Sequence, residues 1–137
     1  MASLSIEALS AQALPLADRF YREQGEKDRC RRHDRVWFAR IDGRAVAVAR
    51  LSPQGGALLL RGVWVVLECR RLGVGAALVS EVISQAKEPV WCFTQPDLMA
   101  WYLSLGFQQV ESLPETQAAM LAAYRRSRSS LQALRYS

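Results

Sequence analysis

The chain has 137 residues, half of them hydrophobic, and a formal net charge of +5. This size and composition predict one globular domain over residues 1–137 and exclude a disordered chain. Its apolar runs are too short to cross a bilayer, and the N-terminus lacks the basic and apolar regions of a secretion signal, so no membrane contact is expected. Three cysteines without CxxC spacing indicate reduced thiols in the cytoplasm, and a single histidine argues against a metal site.

Most of the basic residues are arginines, with clusters at residues 29–35 and 125–128. A basic chain can bind nucleic acid, a phosphorylated cofactor or an acidic substrate. Neither cluster is interleaved with aromatic residues as a base-stacking surface would be. Solvated faces, or attraction of a cofactor or acidic substrate, are therefore favoured over nucleic-acid binding.

The first half of the chain predicts an antiparallel meander. Residues 3–9 indicate a short strand, and residues 11–23 an amphipathic helix with Pro15 near its start. Residues 24–34 are charged and predict an exposed loop or a short second helix. Strands are expected over 36–41, 44–51 and 57–66, joined by turns at Asp42-Gly43 and at 53–56. The third strand is apolar on both faces, as in a central strand, and Gly62 within it predicts a bulge or a point of close approach.

The second half predicts a parallel crossover. A helix over 79–87 is followed by a strand over 89–94, and strand, helix and strand in this order imply a right-handed parallel unit. A further helix begins at Pro96 and ends at Gly106. A strand at 107–110, a helix at 114–128 and a terminal strand at 131–136 complete the chain. The whole pattern predicts an α/β fold with a mixed sheet.

The stretch from Arg70 to Leu78 joins the central strand to the next helix and contains Gly73 and Gly75. Glycines allow close approach of a ligand to the backbone, and the first amides of a helix favour an anion such as a diphosphate. A simpler interpretation is a helix start with tight packing. The third glycine of a dinucleotide fingerprint is absent, because Leu78 stands there, and the chain has no triphosphate loop.

Two motifs resemble the GNAT superfamily of acetyl-CoA-dependent N-acetyltransferases. Arg70-x-x-Gly73-x-Gly75 is similar to its Q/R-x-x-G-x-G/A signature, and residues 101–107, WYLSLGF, are similar to its A-x-x-x-Y-x-x-x-G-F segment. One helix and one strand separate them, and the resemblance covers residues 36–110. It implies the GNAT fold, a central, mixed, mostly antiparallel sheet of six to seven strands with helices on both faces.

The resemblance also implies the site. The amides from Arg71 to Ala76 would bind the diphosphate of coenzyme A, and the strand carrying Val65 and Val66 would splay from the next strand and pair with pantetheine. Gln95 replaces an asparagine that contacts the pantetheine arm. The implied cofactor-binding residues are Val65, Val66, Arg70, Arg71, Leu72, Gly73, Val74, Gly75, Ala76 and Gln95.

Tyr102 stands at the general-acid position of the family; otherwise it is a core aromatic residue. A phenol of pKa about 10 can protonate a departing thiolate whose acid has a pKa of about 8.5. The strand over 57–66 lacks the Asp or Glu that many members use as a base. The amine would then lose its proton to water or to a carboxylate among Glu23, Glu26 and Asp28.

Two other charged residues carry open interpretations. Glu68 lies beside the glycines, where a structural or capping role is favoured. Arg61 interrupts the apolar central strand and would either attract an acidic group of the acceptor or pair with a carboxylate beside it.

The sequence thus predicts transfer of acetyl from acetyl-CoA to a primary amine of a small molecule or peptide, by direct attack in a ternary complex with Tyr102 as the acid. The alternative is an acetyl-CoA-binding sensor that regulates a partner protein without catalysis. The acceptor, and whether the chain is a monomer or a homodimer, stay open.

Overall fold

A computed structural model of the chain describes residues 3–137. The strands are β1 (Leu4–Ala8), β2 (Arg35–Ile41), β3 (Arg44–Gln54), β4 (Ala57–Val65), β5 (Val90–Thr94), β6 (Gln108–Gln109) and β7 (Gln132–Tyr136). The helices are α1 (Leu14–Glu23), α2 (Val74–Gln85), α3 (Pro96–Ser104) and α4 (Glu115–Arg125), and single 3₁₀ turns cover Ala11–Ala13 and Leu67–Cys69.

All seven strands form one sheet in the order β1-β2-β3-β4-β5-β7-β6. Neighbouring strands are antiparallel except β4 and β5, which are parallel and joined through α2. The mixed, mostly antiparallel sheet and its parallel crossover are therefore confirmed.

Helices cover both faces of the sheet, as expected. Along β5 the side chains alternate between two clusters. Trp91 packs in a cluster with Tyr124 of α4, whereas Cys92 lies in the main core with Tyr102 of α3. The two helices that follow β5 thus lie on opposite faces of it.

Some element boundaries differ from prediction. Helix α2 begins at Val74 instead of residue 79, because Gly73 in the left-handed region starts the helix before its apolar periodicity begins. Strand β3 continues through Pro53 to Gln54, since Gly55 and Gly56 both have positive φ and alone form the hairpin turn. The predicted strand over 107–110 is reduced to Gln108–Gln109.

The segment over residues 24–34 is a loop without a helix, and it is less exposed than predicted. Asp34 is 8% exposed and Cys30 is half-buried, because both lie against the rest of the domain. No helix in residues 3–137 has the length and hydrophobicity needed to span a membrane.

Candidate functional site

Strands β4 and β5 separate after a short paired region. They pair only from Leu58 to Leu60, opposite Val90 to Cys92. Beyond Leu60, β4 stays bonded to β3, and beyond Cys92, β5 stays bonded to β7. A cavity of about 780 Å³ is lined by residues from both strands at this gap. The expected splay of the central strand is therefore present.

A bulge at Gly62 lies at the start of this gap. The register of β3 and β4 shifts between Val48 and Arg50, and Gly62 has φ +60, a conformation that favours glycine. The Tyr21 hydroxyl of α1 donates to the Gly62 carbonyl at 2.6 Å. A Cβ at this position would lie 2.9 Å from Arg50 Nε and 2.9 Å from Asp28 Oδ2. The predicted bulge is confirmed, and its close surroundings require glycine.

The loop over 24–34 is attached to the sheet by Arg50, which the sequence analysis did not single out. Arg50 is 2% exposed, and its Nη2 donates to Asp28 Oδ2 at 2.8 Å and its Nη1 to Asp34 Oδ2 at 3.0 Å. Asp34 also accepts from the Ser52 hydroxyl at 2.6 Å. The available signal was an arginine within the apolar run of β3, since a charge at such a position needs partners.

Tyr102 lines the cavity from α3 and is also part of the core. It is buried and packs edge-on against Trp101 and Phe107, with ring centroids 4.8 and 5.5 Å away. Burial raises the pKa of Tyr102, and the adjacent Cys92 raises it further. Burial likewise raises the pKa of Cys92 to about 12. Both groups therefore stay protonated at neutral pH.

The start of α2 presents free backbone amides. Ala77 donates to the Gly73 carbonyl at 3.0 Å, so the amides of Val74, Gly75 and Ala76 precede the first bonded position of the helix. Gly73 has φ +80 and open space where a Cβ would be, and Arg71 has φ +67, which is uncommon outside glycine. Together with exposed Leu72, these residues form an accessible loop whose amides suit a diphosphate.

Gly75 is required for packing as well. A Cβ on Gly75 would lie 3.2 Å from Trp101 Cζ2 and 3.3 Å from Val65 Cγ2. The simpler interpretation, tight packing at a helix start, thus applies to Gly75, while Gly73 faces open space. Gly75 lets α2 approach both β4 and α3.

The remaining residues implied in cofactor binding are partly engaged within the chain. The Val66 amide donates to Val46 of β3 at 2.9 Å. Arg70 Nε donates to the Val65 carbonyl at 2.9 Å, and its guanidinium lies 4.6 Å from the centre of the Trp64 ring. Arg70 therefore extends along the end of β4.

Gln95 immediately precedes α3 and lines the cavity. Its backbone carbonyl accepts from the Leu98 amide at 3.0 Å, and its side-chain oxygen accepts from the Ser130 hydroxyl at 2.9 Å. These bonds hold the side chain at the junction of α3 and the segment before β7.

The carboxylates singled out in the sequence do not all lie at the cavity. Glu26 and Asp28 line the cavity, but Asp28 is bonded to Arg50. Glu23 instead pairs with Arg19 at 3.4 Å on the exposed surface. Glu68 lies outside the cavity lining, 3.0 Å from Arg44, and bonds to its own backbone amide and to Arg44 lower its pKa. These bonds agree with a structural role for Glu68.

Arg61 is half-buried and faces α4, with its guanidinium 5.3 Å from the centre of the Tyr124 ring. Within residues 3–137 no carboxylate forms a salt bridge with it, so of its two interpretations the pairing with a neighbouring carboxylate is not observed. Burial, together with the positive charges of Arg31 and Arg50, lowers the pKa of Arg61.

The cavity thus joins two chemically different regions through the β4–β5 gap. Tyr102, a protonated phenol, lines it from α3, while Arg61 lines it from β4 on the side of α4. In the described part of the chain, no group of three or more His, Cys, Asp or Glu side chains could hold a metal ion.

Comparison with protein families gives one match over most of the chain. The acetyltransferase (GNAT) family profile matches residues 5–107. A search of curated protein sequences found no significant match.

Solved structures with the same fold include three acyltransferases. N-acetylglutamate synthase from Neisseria gonorrhoeae, complexed with coenzyme A and N-acetyl-glutamate, is 22% identical with a TM-score of 0.70; the match covers 99% of this chain but 35% of that one. An acyl-CoA N-acyltransferase from Pseudomonas aeruginosa is 18% identical over 98% of this chain and 100% of its own, with a TM-score of 0.67. A GNAT family acetyltransferase from Elizabethkingia anophelis with acetyl-CoA bound is 12% identical over 98% and 97%, with a TM-score of 0.67. The chain therefore spans about a third of the synthase and nearly all of the other two.

Proposed function

Because the chain belongs to the acetyltransferase (GNAT) family, we propose that it transfers the acetyl group of acetyl-CoA to a primary amine by direct attack in a ternary complex. The observation that carries the proposal is the β4–β5 gap, whose cavity is lined by the protonated Tyr102 and by Arg61, together with the free amides at the start of α2, the helix that joins these two strands. Coenzyme A or acetyl-CoA is present in two of the structural neighbours described above. A cytoplasmic location stays a prediction from the cysteine content.

The backbone would bind the coenzyme. In this proposal the amides from Arg71 to Ala76 bind the diphosphate, and the backbone at Val65 and Val66, beyond the part of β4 that pairs with β5, binds the pantetheine arm, with Gln95 contacting it from the residue before α3. Arg70 supports this edge through its bond to Val65. A bulky residue at Gly75 would separate α2 from β4 and misplace the amides.

Tyr102 would supply the proton that the leaving thiolate needs. Its burial keeps the phenol protonated throughout the neutral range, and because the raised pKa also weakens the acid, the transfer requires the sulfur to lie in direct contact with the hydroxyl. General acid catalysis of this kind contributes roughly 10²–10⁴-fold to the rate.

Glu26 is the best-placed group to receive the proton of the acceptor amine. Of the three carboxylates expected in this role, Glu26 alone both lines the cavity and forms no salt bridge with any of residues 3–137. Water in the open cavity is the other route.

The test is the release of free thiol from acetyl-CoA with a panel of primary amines. The panel contains amino acids, among them L-glutamate because of the N-acetyl-glutamate in one neighbour, together with polyamines, peptides and lysine derivatives. We expect Tyr102→Phe to lower turnover by about 10²-fold or more with little change in acetyl-CoA affinity. Tyr136→Phe, outside the cavity lining, is the matched control and should retain activity.

Acetyl-CoA should also raise the melting temperature of the protein. Absence of any such shift would refute coenzyme binding. A clear shift without thiol release for any amine would instead support a regulatory acetyl-CoA sensor.

A further inference from the structure

Three arginines from distant parts of the sequence line the cavity, and two of them, Arg31 and Arg61, meet at Gln54. Arg31 comes from the loop after α1, Arg61 from β4 and Arg128 from the segment after α4. We call these residues the arginine cluster. Six cationic side chains and two carboxylates line the cavity altogether. The positive charge is therefore in excess within the cavity itself, beyond the excess of the whole chain.

Arg50 is a buried guanidinium with a structural role, and its hydrogen-bond partners can be compared with those of the arginine cluster. Its Nη1 and Nη2 each donate to an aspartate, at 3.0 and 2.8 Å, and Nη1 also donates to the Arg29 carbonyl at 2.7 Å. In contrast, no carboxylate of residues 3–137 forms a salt bridge with any member of the arginine cluster. Asp28 and Asp34, two carboxylates of the loop itself, are already bonded to Arg50.

The side-chain hydrogen bonds of Arg31 and Arg61 within the described residues go to a neutral group. The Gln54 amide lies between them, and with its oxygen turned toward them it accepts from Arg61 Nη1 at 3.0 Å and from Arg31 Nη1. Its nitrogen then faces the Tyr124 hydroxyl at 3.3 Å. One amide oxygen satisfies a single donor of each guanidinium, whereas a guanidinium has five N–H donors. Most of the hydrogen-bonding capacity of the pair thus remains available.

The packing of Arg61 leaves a defined part of its guanidinium available. Its face lies over the Tyr124 ring at 5.3 Å, so the N–H donors at its edge, apart from the one bonded to Gln54, remain available for a ligand in the cavity. A guanidinium edge matches the two oxygens of a carboxylate and can bind them as a pair. An incoming anion would also relieve the repulsion between two nearby positive charges at a half-buried position.

We infer that the arginine cluster binds a carboxylate of the acceptor, so that the substrate is a primary amine bearing a carboxylate, as in an amino acid or short peptide. This inference rests on the proposed function, since it concerns the acceptor side of the same cavity. The carboxylate would lie on the α4 side of the β4–β5 gap, with the amine directed toward the gap that Tyr102 lines from α3. Apolar Leu59 and Phe93 also line the cavity and pack in the cluster on the α4 side.

The test compares amines that differ only in the carboxylate. Amino acids and their amides, for example L-glutamate against L-glutamine and glycine against glycinamide, are titrated into the CoA-saturated protein by calorimetry and assayed for thiol release from acetyl-CoA. Loss of charge-assisted hydrogen bonds costs roughly 10- to 150-fold in binding, so at least one free acid should bind and react that much better than its amide. Arg61→Gln should remove this preference while changing the amide little.

Arg32→Gln is the matched control for Arg61→Gln. Arg32 lies beside Arg31 in the loop over 24–34, but it is exposed and absent from the cavity lining. It makes the same change in net charge and should leave the preference for the acid intact. If Arg32→Gln and Arg61→Gln weaken the acid equally, the effect comes from overall charge and the inference is wrong.

The two hypotheses fail in different ways. Efficient acetylation of amines with equal use of acids and amides would overturn the carboxylate site but leave the acetyltransferase function standing. A preference for phosphorylated amines over carboxylates would also overturn it. Selective binding of acids, abolished by Arg61→Gln, without thiol release would support the carboxylate site and count against the proposed catalysis. Absence of any binding difference in the calorimetric arm would refute the inference whether or not transfer occurs.

Discussion

Replacing Arg50 by methionine tests whether the loop over 24–34 is held by a buried ion network. The substitution retains an apolar stem and removes the guanidinium from between Asp28 and Asp34. The Asp34 side chain is 1% exposed, so its carboxylate would stay buried without its counter-charge, whereas Asp28, at 34% exposed, can return to solvent. Removing one partner of a buried pair costs about 3–5 kcal/mol.

The lower end of this range is expected for Arg50→Met. Asp34 would still accept hydrogen bonds from Ser52 at 2.6 Å and from the Arg31 amide at 2.9 Å, which partly compensate the lost pair. A loss of about 3 kcal/mol is a large fraction of the roughly 5–15 kcal/mol of stability typical of folded domains. The variant should therefore fold but unfold at clearly lower urea concentration.

The assay is equilibrium urea unfolding followed by tryptophan fluorescence. Arg40→Met is the matched control: Arg40 pairs with Glu7 at 2.6 Å, but the two side chains are 26% and 50% exposed, so the cost should be about 0–1 kcal/mol. In a double-mutant cycle, Asp34→Asn combined with Arg50→Met should cost less than the sum of the two, by about 1 kcal/mol or more. If Arg50→Met costs no more than Arg40→Met, the network does not stabilise the fold as reasoned.

Three other predictions concern Gly75 at the start of α2, the buried thiol of Cys92, and Glu26 as the acceptor of the amine proton. Gly75→Val should lower stability by about 1–3 kcal/mol through overpacking against Trp101 and should abolish the thermal shift caused by acetyl-CoA. The control Ser80→Val, on the exposed face of α2, should keep this shift. An unchanged shift in Gly75→Val would contradict the prediction. Because burial raises the pKa of Cys92 from 9.0 to about 12, its stabilising effect is complete below about pH 9 and is lost as the pH rises toward 12, by up to about 1.4 kcal/mol per pH unit. The urea concentration at the unfolding midpoint should therefore decrease as the pH is raised from about 8 to 10, and it should decrease less in Cys92→Ala. A midpoint that does not change with pH would be inconsistent with this linkage. Glu26→Gln should lower turnover by roughly 10²-fold near pH 7 and regain activity at higher pH as the amine deprotonates, with exposed Glu23→Gln as the control; full activity in Glu26→Gln would assign the proton transfer to water.

Local patterns in the sequence predicted most of the elements. The alternating meander, the parallel crossover and the terminal strand could be recognised because apolar periodicity and turn residues act over a few neighbouring positions. Gly62 could be assigned to a bulge for the same reason, as an isolated glycine in an apolar strand. Boundaries were less certain where a single residue decides them, as Gly73 does for the start of α2.

The candidate site depended more on contacts between distant positions. The motif residues Gly73, Gly75 and Tyr102 could be proposed from their resemblance to the family motifs, and their roles in binding and catalysis remain predictions. That Arg70 would extend along β4 and bond to Val65 was not evident, because a motif specifies a position in the chain and not a side-chain conformation.

The sequence by itself therefore determined the order of strands and helices, the glycine loop and the family resemblance, since these follow from residue type and local spacing. Only the tertiary structure decided which charges meet. It joined Arg50 to aspartates 16 and 22 residues away. It left Arg61 without a carboxylate partner in residues 3–137 and brought Arg31 and Arg61 to the amide of Gln54. The physical reason is that an ion pair depends on strand register and loop packing, which bring together residues far apart in the chain.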